Sequence, residues 1–390
     1  MHLKTAIRMA AAAACWLLLP GCGGEGDKGK AEPVVDEATL AVMRGFVEKL
    51  TVVLPKTVDR STFRDPEEQP VIRGALAALA YDASLLAEHS RSYESGVVRL
   101  QRSLERDTSE ILRQYERGHY DRAAFLLRNV TENCVVCHVR LPSPGDSPLA
   151  EHFIDRTALT RLPAPARATL QMATRRFDDA LTTLEGILSA EELHPALVLG
   201  PLTDYLTLCI RVKSDCDRPI PTLEKFARRP DLWLRLRLDV EEWIAALPAL
   251  RKRVQGEPDL ASARTLVTEG IARCDLRDPR LGVPHLIAAS AILQRVINEG
   301  PQTAAQLAEA YYLLGETESR IGRNYWVTEA PFFFETSIRV DPGSPFAEDA
   351  YSLLEEEILM SYEGSDWDEI QGEDRALLSE LRTLMDGAGR

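Results

Sequence analysis

Residues 128–145 read RNVTENCVVCHVRLPSPG, and the reading of Cys134-Val-Val-Cys137-His138 within them decides how the rest of the chain is parsed. The chain holds seven Cys and seven His in 390 residues. Random placement would give on the order of 0.002 such pentapeptides, so coincidence is a poor account. Two thiols three residues apart can add across the two vinyl groups of a porphyrin, and the adjacent His is then placed under the iron as its proximal ligand. A zinc finger needs a second ligand pair at matching spacing. The sequence has no second C-x-x-C and no H-x(3–5)-H. A thioredoxin-like dithiol is expected beside a βαβ pattern, and no such pattern appears. Haem c, one per chain and covalent through Cys134 and Cys137 with His138 on the iron, is the expectation.

Covalent attachment by this route needs an exported chain, and the N-terminus agrees. Lys4 and Arg8 form a short basic region, and Met9–Leu19 is an apolar run too short to cross a bilayer. Leu19-Pro20-Gly21-Cys22 resembles the lipobox of bacterial lipoproteins, which implies cleavage before Cys22 and lipid on its thiol and amine. Residues 1–21 are therefore read as a lipoprotein signal and 22–35 as a flexible, Gly-rich tether. Gly23 after the lipidated Cys is similar to lipoproteins sorted to the outer membrane. The expected location is the periplasmic side of a bacterial membrane. No later segment reads as long and apolar enough for a span. Removing residues 1–21 takes two of the 46 basic groups and none of the 60 acidic ones, leaving 44 against 60, a net −16. Nucleic acid is not an expected partner of so acidic a chain.

Helical periodicity dominates residues 36–145. Leu40, Met43, Val47, Leu50 and Leu54 make one seam. Asp65-Pro66 signals a new helix start, followed by Ile72, Leu76, Leu79, Ala83 and Leu86. Val97, Leu100, Leu104, Ile111 and Tyr115 form a third seam broken by Thr108. A fourth helix begins near Asp121, carries Leu126, Val130, Cys134 and His138 along one stripe, and is stopped by Pro142 and Pro144. Four such helices predict a four-helix bundle.

The motif at the end of the fourth helix resembles the class II cytochromes c, the cytochrome c-prime type. The resemblance covers about residues 36–142 and is carried by Cys134, Cys137 and His138. It implies an antiparallel haem bundle, and in low-spin members a Met of the first helix as sixth ligand. Met43 in LAVMRGF is the matching candidate; packing is the other role open to it. High-spin members leave the site open to small gases. His89, His119 and His152 are further candidate ligands. Family members often carry an aromatic and a basic residue three and four places after the His, where this chain has Leu141 and Pro142.

LPSPGDSP, residues 141–148, is a Pro-rich break; residues 146–160 read as the linker, and 161–390 as helical again. Tyr311, Leu314 and Gly315, followed by Ala330, Phe334, Ser337 and Pro342, resemble a tetratricopeptide repeat. Ala289, Leu293, Val296 and Pro301 repeat that spacing, and Ala180, Leu184 and Ile187 its first steps. The expected class is all-α: a four-helix haem bundle followed by an α-solenoid whose curved surface docks a partner. Residues 340–374 hold twelve Asp or Glu and no Lys or Arg. They read as a solvated acidic face or as a docking patch for a basic protein partner. Cys209, Cys216 and Cys274 remain; a turn at Lys213-Ser214-Asp215 could join the first two, and buried free thiols are the alternative. The expected function is a membrane-tethered electron carrier, with a haem-based gas or redox sensor and a repeat scaffold with structural haem as alternatives. No nucleophile–base arrangement points to an enzyme.

Overall fold

The computed structural model describes residues 37–89, 95–139, 159–190, 197–274, 280–299, 302–321, 329–361 and 372–388. The expected signal, Cys22, the tether, His152 and most of the expected linker lie outside the described residues, as does the side chain of Cys137. Every regular element among the described residues is helical, and none is a strand.

Helix α1 is Glu37–Val53. Its buried stripe is Thr39, Phe46, Leu50 and Val53, with Leu40, Met43 and Val47 only partly buried. Leu50 and Leu54 of the expected seam are buried, and nearer the N-terminus the stripe shifts: Phe46, the bulkier side chain, takes the core-facing position beside Val47, because burying an aromatic removes more apolar surface from water. A 3-10 turn, Leu54–Thr57, follows with Pro55 in its first positions. Then comes α2, Arg60–Arg64, whose N-cap Asp59 accepts from the Ser61 N–H at 2.8 Å. This short helix was not expected. It delivers Phe63 to an edge-to-face chain with Tyr115 and Tyr120, centroids 5.2 and 5.0 Å apart.

Helix α3 is Gln69–His89. Its start lies beyond the Asp65-Pro66 signal, where Asp65 caps a turn by accepting from the Glu67 N–H at 2.9 Å. Ile72, Leu76, Leu79, Ala83 and Leu86 are all buried, as their spacing predicts. Contrary to the expectation of no span, α3 is long and apolar enough by composition to cross a membrane. Its apolar seam is instead a protein core seam, packed on α1 and on α4, Ser95–Glu116. In α4 the Thr108 that interrupts the expected seam is itself buried, its hydroxyl donating to the Leu104 carbonyl at 2.8 Å. A small polar residue sits in the seam at little cost because its hydrogen bond is closed within the helix.

The expected fourth helix is two abutting pieces, α5 (Tyr120–Asn129) and α6 (Thr131–His138). Val130 between them keeps helical dihedrals, and its N–H still reaches the Leu126 carbonyl at 3.0 Å.

The later helices are α7 (Ala164–Ala173), α8 (Phe177–Ser189), α9 (Leu199–Leu206), α10 (Pro219–Ala227), α11 (Leu234–Val254), α12 (Leu260–Arg273), α13 (Val283–Asn298), α14 (Ala304–Ile321), α15 (Ala330–Val340), α16 (Ala347–Ser361) and α17 (Gly372–Ala388). A π-helical segment, Thr207–Val212, extends α9. From α12 onward each helix packs on the next in sequence. Gly315 of α14 faces Phe334 of α15 so closely that a Cβ there would overlap the ring. The residues singled out by the repeat spacing, Ala289, Leu293, Val296, Ala330, Phe334 and Ser337, are buried.

Two cross-contacts tie the halves together: α6 packs on α7, and α15 packs on α4. One apolar cluster runs from Phe46 to Phe333. The stretches read as 36–145 and 161–390 therefore share a core. A smaller cluster around Phe334, Ile338, Leu354 and Leu381 closes the C-terminal end.

Candidate functional site

The motif lies on α6, where helical pitch puts Cys134 and His138, four residues apart, on one face. Cys134 is partly buried and packs against the main core. Val135, Val136 and Val139 are buried and fix the helix in place. The principal neighbours of α6 are α4, α5 and α7.

On the α4 side, Asn133 donates from Nδ2 to Asp107 Oδ2 at 3.0 Å. Burial pushes the Asp107 carboxyl above its ordinary value, and the Asn133 bond works in the opposite direction. Sequence reasoning did not single out Asp107; nothing in the spacing links it to Asn133, 26 residues away.

On the α7 side lies the bond that defines the site. His138 Nδ1 is 2.5 Å from the Ala173 carbonyl oxygen. A carbonyl can only accept, so Nδ1 carries the proton and Nε2 keeps its lone pair. Burial pushes the imidazole down to about 4; the Ala173 bond opposes this, and the charge of Arg175 adds to it. The ring is therefore neutral at pH 7, with one nitrogen clamped and the other free to ligate, the state a metal-bound His requires.

The other expected ligands stand apart from this geometry. Met43 is partly buried on α1, against the main core. Its helix packs chiefly on α3 and the 3-10 turn, and is not among the principal neighbours of α6. His89 Nδ1 lies 3.3 Å from Thr39 Oγ1, joining the end of α3 to the start of α1. His119 Nδ1 is 2.7 Å from Gln114 Oε1, at the N-terminus of α5.

The remaining thiols are resolved in favour of the second alternative. Cys209 and Cys216 are buried free thiols, and Cys274 is partly buried against the main core. Burial pushes the Cys216 thiol up to about 12 and that of Cys209 higher still, so neither is a ready nucleophile. Ser214 does form the expected turn, with φ 52, but the turn does not bridge the two sulfurs.

The residues fit a covalent haem in their donor chemistry: a neutral imidazole with its distal nitrogen free, a thiol on the same helix face, and a cation, Arg175, near enough to act on the ring. Among the described residues, no three His, Cys, Asp or Glu side chains converge as an all-protein metal site demands. Comparison of the chain with protein-family models, with curated proteins and with solved structures found no match in any of the three.

Proposed function

We propose that the chain is a lipid-anchored periplasmic c-type cytochrome, a four-helix haem bundle joined to a tetratricopeptide-like array that docks a protein partner. The observation that carries this reading is the His138 imidazole, neutral and held through Nδ1 by the Ala173 carbonyl, on the helix that also bears Cys134. His138 would ligate the iron, and Cys134 and Cys137 would be the thioether anchors. A haem so held supplies one-electron transfer. The chain's own part is to keep the ligand's proton on Nδ1, to exclude bulk water from the α6–α7 contact, and to present the rest of its surface to a partner. Cys22 would fix the molecule to the membrane, probed by whether labelled fatty acid enters the wild-type chain and not Cys22→Ala.

Carrier and gas sensor differ in the sixth iron position. Met43 is the proposed ligand for a carrier. The sensor reading draws on a specific feature: α1 packs mainly on α3, and α6 is not among its principal neighbours. Optical spectra with and without carbon monoxide separate the two. A low-spin spectrum insensitive to the gas supports the carrier, and ready binding supports the sensor. Loss of haem from a Cys134→Ala, Cys137→Ala double variant, with retention in the wild type through acid-acetone extraction, is the test of the shared premise.

A further inference from the structure

The Nδ1–H bond of His138 leaves the bundle altogether and ends on α7, 35 residues away. The end of α7 explains why that carbonyl is available. Arg175 sits in the left-handed region, φ 58. Its N–H bonds the Met172 carbonyl at 3.0 Å, and the Arg176 N–H bonds the Gln171 carbonyl at 2.8 Å. Those two bonds are the Schellman closure of a helix. The Leu170 carbonyl takes both the N–H and the hydroxyl of Thr174, at 3.1 and 2.8 Å. Three of the last carbonyls are thus satisfied by the cap, and that of Ala173 accepts from His138 instead. A helix end otherwise leaves such a group to water. The left-handed position is one that Gly normally fills. Here it holds Arg, whose positive charge acts on the same imidazole.

We propose that the Thr174–Arg176 turn is a positioning element of the haem centre: it fixes which nitrogen of His138 carries the proton and how the ring is turned. The inference rests on the haem reading for its purpose, though not for its geometry. It makes the start of the helical array a structural part of the redox site, so that anything moving this turn also moves the iron's ligand.

Two variants separate turn geometry from charge. Arg175→Gly removes the charge and suits the left-handed backbone. Arg175→Val removes the same charge and disfavours that backbone. In full-length, 15N-labelled chain purified without haem, the His138 Nδ1 proton should exchange slowly in wild type and in Arg175→Gly. In Arg175→Val its exchange should be at least tenfold faster. In haem-loaded protein, Arg175→Val should show a higher reduction potential than Arg175→Gly, because a ligand that loses its Nδ1–H bond donates less to iron. Gly and Val variants that match in both readouts would overturn the proposal. So would a wild-type Nδ1 proton that exchanges freely. If circular dichroism shows that Arg175→Val does not fold, the pair Arg175→Asn and Arg175→Ala makes the same comparison, since Asn tolerates the left-handed region better than Ala. A wild type that carries no covalent haem would sink the haem reading, while the exchange measurement still decides the role of the turn.

Discussion

Replacing Glu318 alone should damage this protein far more than replacing Glu318 together with Arg211. Arg211 lies on the π-helical segment and Glu318 on α14; Nη2 and Oε1 are 2.5 Å apart, and the two side chains are 1% and 3% exposed. Ser290 of α13 donates to the same Glu318 oxygen at 2.9 Å. The cluster therefore links three elements across 107 residues of sequence. Removing one partner of such a pair leaves a charge in a dry interior, at a cost of about 3–5 kcal/mol. Replacing both by apolar residues of similar volume removes that penalty. What remains is the Ser290 hydroxyl, fully buried, which would cost about 1–3 kcal/mol if it found no other acceptor. Glu318→Leu should therefore lower the urea unfolding free energy by about 3–5 kcal/mol, and Arg211→Met by a similar amount. The Arg211→Met, Glu318→Leu double variant should lose only about 1–3 kcal/mol. Urea titrations with an unchanged slope would give all three values. A double variant whose loss equals the sum of the single losses would refute the reasoning, because independent sites add and coupled ones do not.

Burial holds the His285 imidazole at about 4, with Arg273 adding to the effect. Its native pKa lies below the unfolded value of about 6.5, so this group's stability contribution is present above pH 6.5 and is lost as pH falls toward 4. Between pH 6.5 and 5 the loss should reach up to about 2 kcal/mol, and His285→Gln should lose correspondingly less stability over that interval in urea titrations. Gly315→Ala should destabilise by up to about 2 kcal/mol: displacing the buried Phe334 ring costs about 1–3 kcal/mol, and the gain in helix propensity returns about 1. Met43→Leu should keep the fold, which circular dichroism would verify, and should open the iron to carbon monoxide if Met43 is its sixth ligand. An iron equally closed to the gas before and after the change removes Met43 from the ligand set.

The helices were legible where the apolar period was long and uninterrupted. In α3 all five predicted core positions, from Ile72 to Leu86, are buried. Along the α1 seam the expected Leu50 and Leu54 are buried, while in the first turns Phe46 takes the core position expected of Val47, and Leu40 and Met43 are only partly buried. Helix α2 was missed because five residues cannot display a period, and its only signal, Asp59 before Ser61, is local. Gly315 and Phe334 were both picked out by their spacing, and a small residue beside a large one is what lets two helices approach as closely as these do.

Within the candidate site, Cys134 and His138 stand out in the sequence because C-x-x-C-H is the spacing that haem attachment would need. Ala173 does not, because a backbone carbonyl leaves no trace in residue identity. The turn that presents it carries Arg175 where Gly would have signalled a left-handed cap. Asp107 was hidden in the same way, its partner Asn133 being set by the packing of α6 on α4.

The most direct test of the central claim is mass spectrometry of the peptide containing Cys134 and Cys137, taken from protein purified from an exporting host and extracted with acid-acetone. The account predicts that this peptide retains the mass of one haem, joined at both cysteines. An unmodified peptide, with both thiols free to alkylate, would contradict it.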